Sequence, residues 1–114
     1  MKHLTHVIAA AFAMALIGAA SPAPSASPAP AVATVVHIVG FAYAPAAVTV
    51  HAGDTVTWIN DDGAEHSVTA SDHSFDSGEL AQGKSWSKTF SKPGTYAYYC
   101  DDHRFMKAAV EVKP

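Results

Sequence analysis

A chain of 114 residues with a formal net charge of −3 and one cysteine has room for a single domain and excludes an intrachain disulfide. All ten acidic residues but only six of the seven basic ones lie beyond residue 32. The charge there is about −4, which argues against nucleic acid as a partner.

In chain order, residues 1–20 are expected to be a cleaved export signal. Lys2 with His3 and His6 opens it, an apolar run follows from 7 to 20, and Gly18-Ala19-Ala20 offers small residues to a peptidase. The run is shorter than the roughly 20 residues of a spanning helix, and no basic stop-transfer cluster follows. No stable membrane insertion is therefore expected after cleavage. A twin-arginine pair is missing, which favours the general export route and a periplasmic or secreted destination. Residues 21–32, dominated by Ser, Ala and Pro, have nothing to bury and read as a tether. The folded domain is expected over 33–114, small enough for its core to need a metal, a disulfide or a partner.

Residues 34–39 and 47–51 are short β-branched runs. A turn at Ala52-Gly53-Asp54 leads into 55–60, which alternates as a half-buried strand should. Asn60-Asp61-Asp62-Gly63 marks a loop, 66–70 is expected to be a fourth strand, and 71–83 reads as irregular. Residues 85–90 alternate again, Lys92-Pro93-Gly94 turns the chain, and 95–100 form an aromatic strand. The last strand, 107–112, points Ala108, Val110 and Val112 one way. With no sustained helical period and turn signals about every ten residues, the fold class is all-β, an antiparallel sandwich or barrel of seven to eight strands.

The chemistry concentrates between the last two strands. Cys100 ends one of them, His103 follows three residues later and Met106 three beyond that. A tight loop there turns thiolate, imidazole and thioether toward one point. Soft sulfur plus imidazole suits copper, and two histidines, one cysteine and a weak axial methionine make up the blue-copper set. A second histidine is still needed. His37 and His51 lie in or at the end of early strands and read as surface residues. His66 opens a strand directly after a loop and is the better candidate, with His73 in the irregular segment as the fallback.

Several motifs carry a family resemblance: Trp58-Ile59-Asn60, His66 six residues after Asn60, Phe75-Asp76-Ser77-Gly78, Lys92-Pro93-Gly94-Thr95-Tyr96, then Cys100, His103 and Met106. Over residues 34–113 the chain resembles a cupredoxin, and its C-x-x-H-x-x-M spacing matches the amicyanin-like branch, whereas plastocyanin has a longer gap before the methionine. That resemblance implies a Greek-key β-sandwich with one copper ion bound by His66, Cys100, His103 and, more weakly, Met106. It also implies an outer-shell asparagine, Asn60, hydrogen-bonded across to the ligand loop. The implied role is single-electron shuttling between redox partner proteins by Cu(II)/Cu(I) cycling, in a monomer that is not an enzyme. Glu65 and Arg104 stand where relatives often have proline, and Ala108 where a glycine is common. Asp61, Asp62, Glu65, Asp101 and Asp102 are expected to ring the site with negative charge, partly offset by Arg104 and Lys107.

Other readings compete. Gly78 to Ser85 satisfies the phosphate-loop pattern G-x-x-x-x-G-K-S, but such a loop must follow a buried strand and open a helix, and here an alternating strand follows. Cys100 and His103 as nucleophile and base would lack an orienting third group. Zinc could occupy His, Cys and His. A copper carrier or scavenger would use the same four ligands as a shuttle.

Overall fold

The computed structural model describes residues 33–114. The expected leader and tether, residues 1–32, lie outside them. Eight strands make up two four-stranded sheets: β1 (Ala33–Val39), β2 (Ala42–Ala44), β3 (Ala47–His51), β4 (Thr55–Asn60), β5 (Thr69–Ala70), β6 (Ser85–Thr89), β7 (Gly94–Tyr99) and β8 (Lys107–Lys113). The first sheet runs β2-β1-β4-β6 and the second β3-β8-β7-β5. The fold is an all-β sandwich, as the turn spacing predicts. No helix among the described residues is long and apolar enough to cross a membrane.

The pairing is mixed, which corrects the purely antiparallel expectation. β1 pairs parallel with β4, and β3 parallel with β8. The chain crosses repeatedly between sheets, so neighbours in one sheet are joined by crossovers, the connection that parallel strands require. Alternation decides the core. β4 buries Val56, Trp58 and Asn60 while its other face stays half-buried, and β8 buries Val110 and Val112. Between the sheets Trp58 is the hub. Its ring meets Trp86, Phe90 and Tyr98, and its indole N–H donates to the Tyr98 hydroxyl at 3.1 Å.

Two local differences from the sequence reading bear on the site. β2 has too little β-branched content to announce itself. It forms because Gly40 and Phe41, both at positive φ (62° and 56°), make a two-residue hairpin loop of the primed kind that matches strand twist, pairing Val39 with Ala42. The fourth strand is shorter than expected. Only Thr69 and Ala70 join β7, because the backbone N–H groups before them are engaged elsewhere: Ser67 N–H points at Cys100 Sγ and Val68 N–H donates to Ser77 Oγ. Between Gly78 and Ser85 the chain makes a turn into β6 and opens no helix, so the phosphate-loop pattern lacks its required context.

Candidate metal centre

The three-residue spacing of the last loop has a direct backbone cause. His103 N–H donates to the Cys100 carbonyl at 3.2 Å and Met106 N–H to the His103 carbonyl at 2.8 Å, two consecutive i to i+3 turns. Cys100 N–H then donates to the Met106 carbonyl at 3.2 Å and closes the loop on itself. β7 and β8 pair antiparallel up to Tyr99 and Lys107, so residues 100–106 bridge two fixed strand ends. Cys100 and Met106 are buried, while His103 between them is partly exposed.

His66 comes from the segment before β5, the neighbour of β7 in the same sheet. Pairing of Thr69 with Tyr99 carries the residues before β5 past the end of β7 and onto the loop. His66 is fully buried, and its Nδ1 stands 3.7 Å from Cys100 Sγ. With metal–sulfur and metal–nitrogen bonds of about 2.3 and 2.0–2.1 Å, two donors sharing one ion at an angle of about 110–120° sit roughly 3.5–3.8 Å apart. This pair therefore has the spacing of two ligands to one metal. The His103 ring lies 5.0 Å from that of His66, centroid to centroid. Among the described residues no group of three or more His, Cys, Asp or Glu side chains is drawn together to ligating distance. Two imidazoles, a thiolate and a thioether suit copper, and the residues fit it.

The expected tie between Asn60 and the ligand loop is made by a different residue. Asn60 Nδ2 donates to the carbonyls of Ala64 (2.9 Å) and Leu80 (2.7 Å), and its Oδ1 accepts Asp62 N–H. Leu80 in turn exchanges backbone hydrogen bonds with His66. Asn60 thus braces the loop that delivers His66. Ser67 reaches the ligand loop: its N–H points at Cys100 Sγ at 3.4 Å and its Oγ accepts Asp101 N–H at 2.9 Å. Ser67 sits one residue beyond the candidate histidine, and nothing in its identity marks it. Only the register does.

The other histidines stay apart. His37 Nδ1 pairs with Asp61 at 2.7 Å on the surface, His51 ends β3 in solvent, and His73 is exposed at a positive φ of 61°. Phe41, which the sequence reading passes over, packs edge-on against both His66 (5.2 Å) and His103 (5.0 Å). Phe105, 72% exposed, flanks His103 on the outside.

The acidic rim is more differentiated than the sequence suggests. Asp61 is paired with His37, Asp101 lies 3.6 Å from Arg104, and Asp62 turns inward to His66 Nε2 at 2.9 Å. Backbone donation from Phe41, foremost, holds the Asp62 carboxyl below the usual carboxylate range, with Gly40 and His66 adding to it. Glu79 joins the rim unannounced. A hydrogen bond shared with Asp102, then desolvation and the charges of Asp102, Glu65 and Asp101, raise its pKa to about 7. Deeper in, burial foremost, with electrostatic contributions from Cys100 and Tyr98, raises the Tyr43 pKa. The Tyr43 hydroxyl donates to the Ser67 carbonyl at 2.5 Å.

Comparison with known proteins agrees with this donor set. The sequence profile of copper binding proteins of the plastocyanin/azurin family matches residues 30–113. The chain belongs to that family. It is 33% identical over 84 residues to a plastocyanin of Scenedesmus fuscus, an alignment covering 62% of this chain and 86% of that protein. Against an amicyanin of Paracoccus denitrificans it is 34% identical over 86 residues, covering 71% of this chain and 66% of the amicyanin. The fold superposes on the Cu(I) form of an amicyanin variant with a TM-score of 0.67 at 36% identity, over 71% of this chain and 82% of the other. As a member of this family the chain has one copper ion as its cofactor, and its expected resemblance to cupredoxins stands.

Proposed function

We propose that the protein is an exported single-electron carrier whose copper is held by His66, Cys100 and His103, with Met106 as the weaker fourth donor. The observation that carries this reading is the 3.7 Å approach of His66 Nδ1 to the buried Cys100 Sγ, one donor from the segment leading into β5 and the other from the end of its neighbour β7. Bound copper supplies a one-electron couple. The protein's part is to keep the donors in one arrangement for both oxidation states. A ligand loop closed by three backbone hydrogen bonds and a histidine fixed from its own loop leave little to rearrange, which favours fast exchange.

His103 is the proposed electron port, since it alone of the four donors is partly exposed. Phe41 and Phe105, 44% and 72% exposed, form an apolar rim beside it, suited to brief docking of a redox partner protein. Glu65, Glu79 and Asp102 lie outside that rim in solvent and favour a partner with basic residues around its own docking patch. A carrier that hands copper to an acceptor is the rival. The complete burial of His66 and Cys100 favours retention through many turnovers.

The test is to add one equivalent of Cu(II) to the apo-protein and record visible and EPR spectra. An intense visible band with narrow copper hyperfine splitting is expected, and Cys100→Ser should abolish the band while circular dichroism stays that of a β-sandwich. A band that survives in Cys100→Ser overturns the ligand set. Repeated reduction and reoxidation in the presence of a chelator then separates shuttle from carrier: a shuttle keeps its copper.

A further inference from the structure

We propose that Asp62 is a positioning residue that fixes His66 as an Nδ1 donor and, through the same carboxylate, holds Phe41 over the two histidines; this rests on the copper-ligand reading above.

The carboxylate takes three donors. Its Oδ1 accepts Gly40 N–H at 2.8 Å, and its Oδ2 accepts both Phe41 N–H at 2.9 Å and the His66 ring at 2.9 Å. The side chain is only 13% exposed, and its backbone N–H on Asn60 Oδ1 leaves it little freedom to turn away. An ionised carboxylate can only accept, and a neutral imidazole carries one N–H. His66 Nε2 must therefore hold the proton. Nδ1 is left with a bare lone pair, and Nδ1 is the nitrogen that faces Cys100 Sγ. The opposite tautomer would put a proton between nitrogen and sulfur, where the ion has to enter. A carboxylate on the far nitrogen also makes the imidazole a more basic ligand, which favours Cu(II) over Cu(I).

The second task follows from register. Parallel pairing sets Ile38 beside Asn60, so the β1–β2 turn emerges next to Asp62. Phe41 occupies that turn at a φ of 56°, an uncommon conformation for a bulky residue. The two backbone N–H groups that Asp62 accepts belong to Gly40 and Phe41 themselves, so the carboxylate stabilises the turn in the form that sets the ring 5.2 Å from His66 and 5.0 Å from His103. One side chain thereby links ligand tautomer to the cover over the ligands.

The test compares wild type, Asp62→Leu and Phe41→Gly. Leucine is close to aspartate in shape but accepts no hydrogen bond, so it removes the partner of Nε2–H and of the turn together, while glycine suits positive φ and deletes the ring without opening the turn. Long-range nitrogen–proton NMR of the apo-proteins reads the tautomer without copper. Wild type and Phe41→Gly should show His66 protonated at Nε2 alone, and Asp62→Leu should lose that single form. With copper, Asp62→Leu should have a more positive reduction potential and an affinity lower by about 10–100-fold. Phe41→Gly should instead speed removal of copper by a chelator. An Nδ1–H tautomer in the wild-type apo-protein, an unchanged potential in Asp62→Leu, or a tautomer lost equally in Phe41→Gly overturns the proposal. Absence of a blue band in the wild type would overturn the copper-ligand reading separately.

Discussion

Replacing Ser67 by alanine tests whether the two halves of the centre are joined as the hydrogen bonds indicate. Ser67 is buried, and its Oγ accepts Asp101 N–H at the start of the ligand loop and pairs with Thr69 Oγ1, each at 2.9 Å. Alanine leaves the backbone contacts to Cys100 Sγ and Tyr43 in place and removes only these two. At about 0.5–1.5 kcal/mol for each hydrogen bond, the loss is about 1–3 kcal/mol. For a domain of this size 1 kcal/mol moves Tm by about 4–8 °C, so a loss of about 2 kcal/mol lowers the apo-protein by roughly 8–16 °C. A loosened loop should also bind copper less well. Each tenfold loss of affinity removes a further ~1.4 kcal/mol of linked stability from the copper-loaded protein. Ser87→Ala is the control, since it breaks the exposed Thr57–Ser87 hydroxyl pair and should change stability by less than about 0.5 kcal/mol. The assay is thermal and urea unfolding of all three proteins with and without copper. A Ser67→Ala melt as small in effect as the control refutes the hydrogen-bond argument. Equal shifts in apo and loaded protein refute the coupling of Ser67 to the metal.

Tyr98→Phe leaves the Trp58 indole N–H without its buried acceptor and should cost about 1–3 kcal/mol, read by urea unfolding; a loss below about 0.5 kcal/mol would contradict it. Glu79 gives a pH prediction with a definite sign. Its pKa in the folded protein, about 7, exceeds the ordinary 4.5, so its contribution is fully present below pH 4.5 and is lost as pH rises through 7. Glu79→Gln should therefore gain in Tm over wild type between pH 4.5 and 8, and salt should shrink the gain because Glu79 is exposed. A difference independent of pH would count against the carboxylate cluster. Electron transfer to a basic partner should slow as ionic strength rises and slow further in Glu65→Lys; rates indifferent to both would remove the acidic rim from docking.

How much of this was legible beforehand differs by residue. Cys100, His103 and Met106 could be read because a tight loop makes sequence spacing and spatial spacing nearly the same thing: two i to i+3 turns link them. The place of His66 at a loop-to-strand boundary favours it over His73, and in the fold His66 is the one of the two that stands beside Cys100 Sγ. Val56, Trp58, Val110 and Val112 announced the core because side chains alternate across a strand. The composition of 66–70 favours a longer strand than β5, but Ser67 and Val68 direct their N–H groups to Cys100 Sγ and Ser77 Oγ, which leaves only Thr69 and Ala70 to pair.

Sequence alone therefore determined the class of the fold, the loop that carries three donors and the chemistry those donors suit, all of which depend on residue type and on neighbours a few positions away. Tertiary structure decided the rest. It chose Ser67 in place of Asn60 as the tie to the ligand loop, turned Asp62 inward while Glu65 stayed in solvent, brought Glu79 to Asp102, and set Phe41 over both histidines. Each of these joins residues from separate strands or loops, and which residues meet there is fixed by strand register. Register is a collective property of two packed sheets: the Ile38–Asn60 and Thr69–Tyr99 pairings exist only once the whole sandwich has formed.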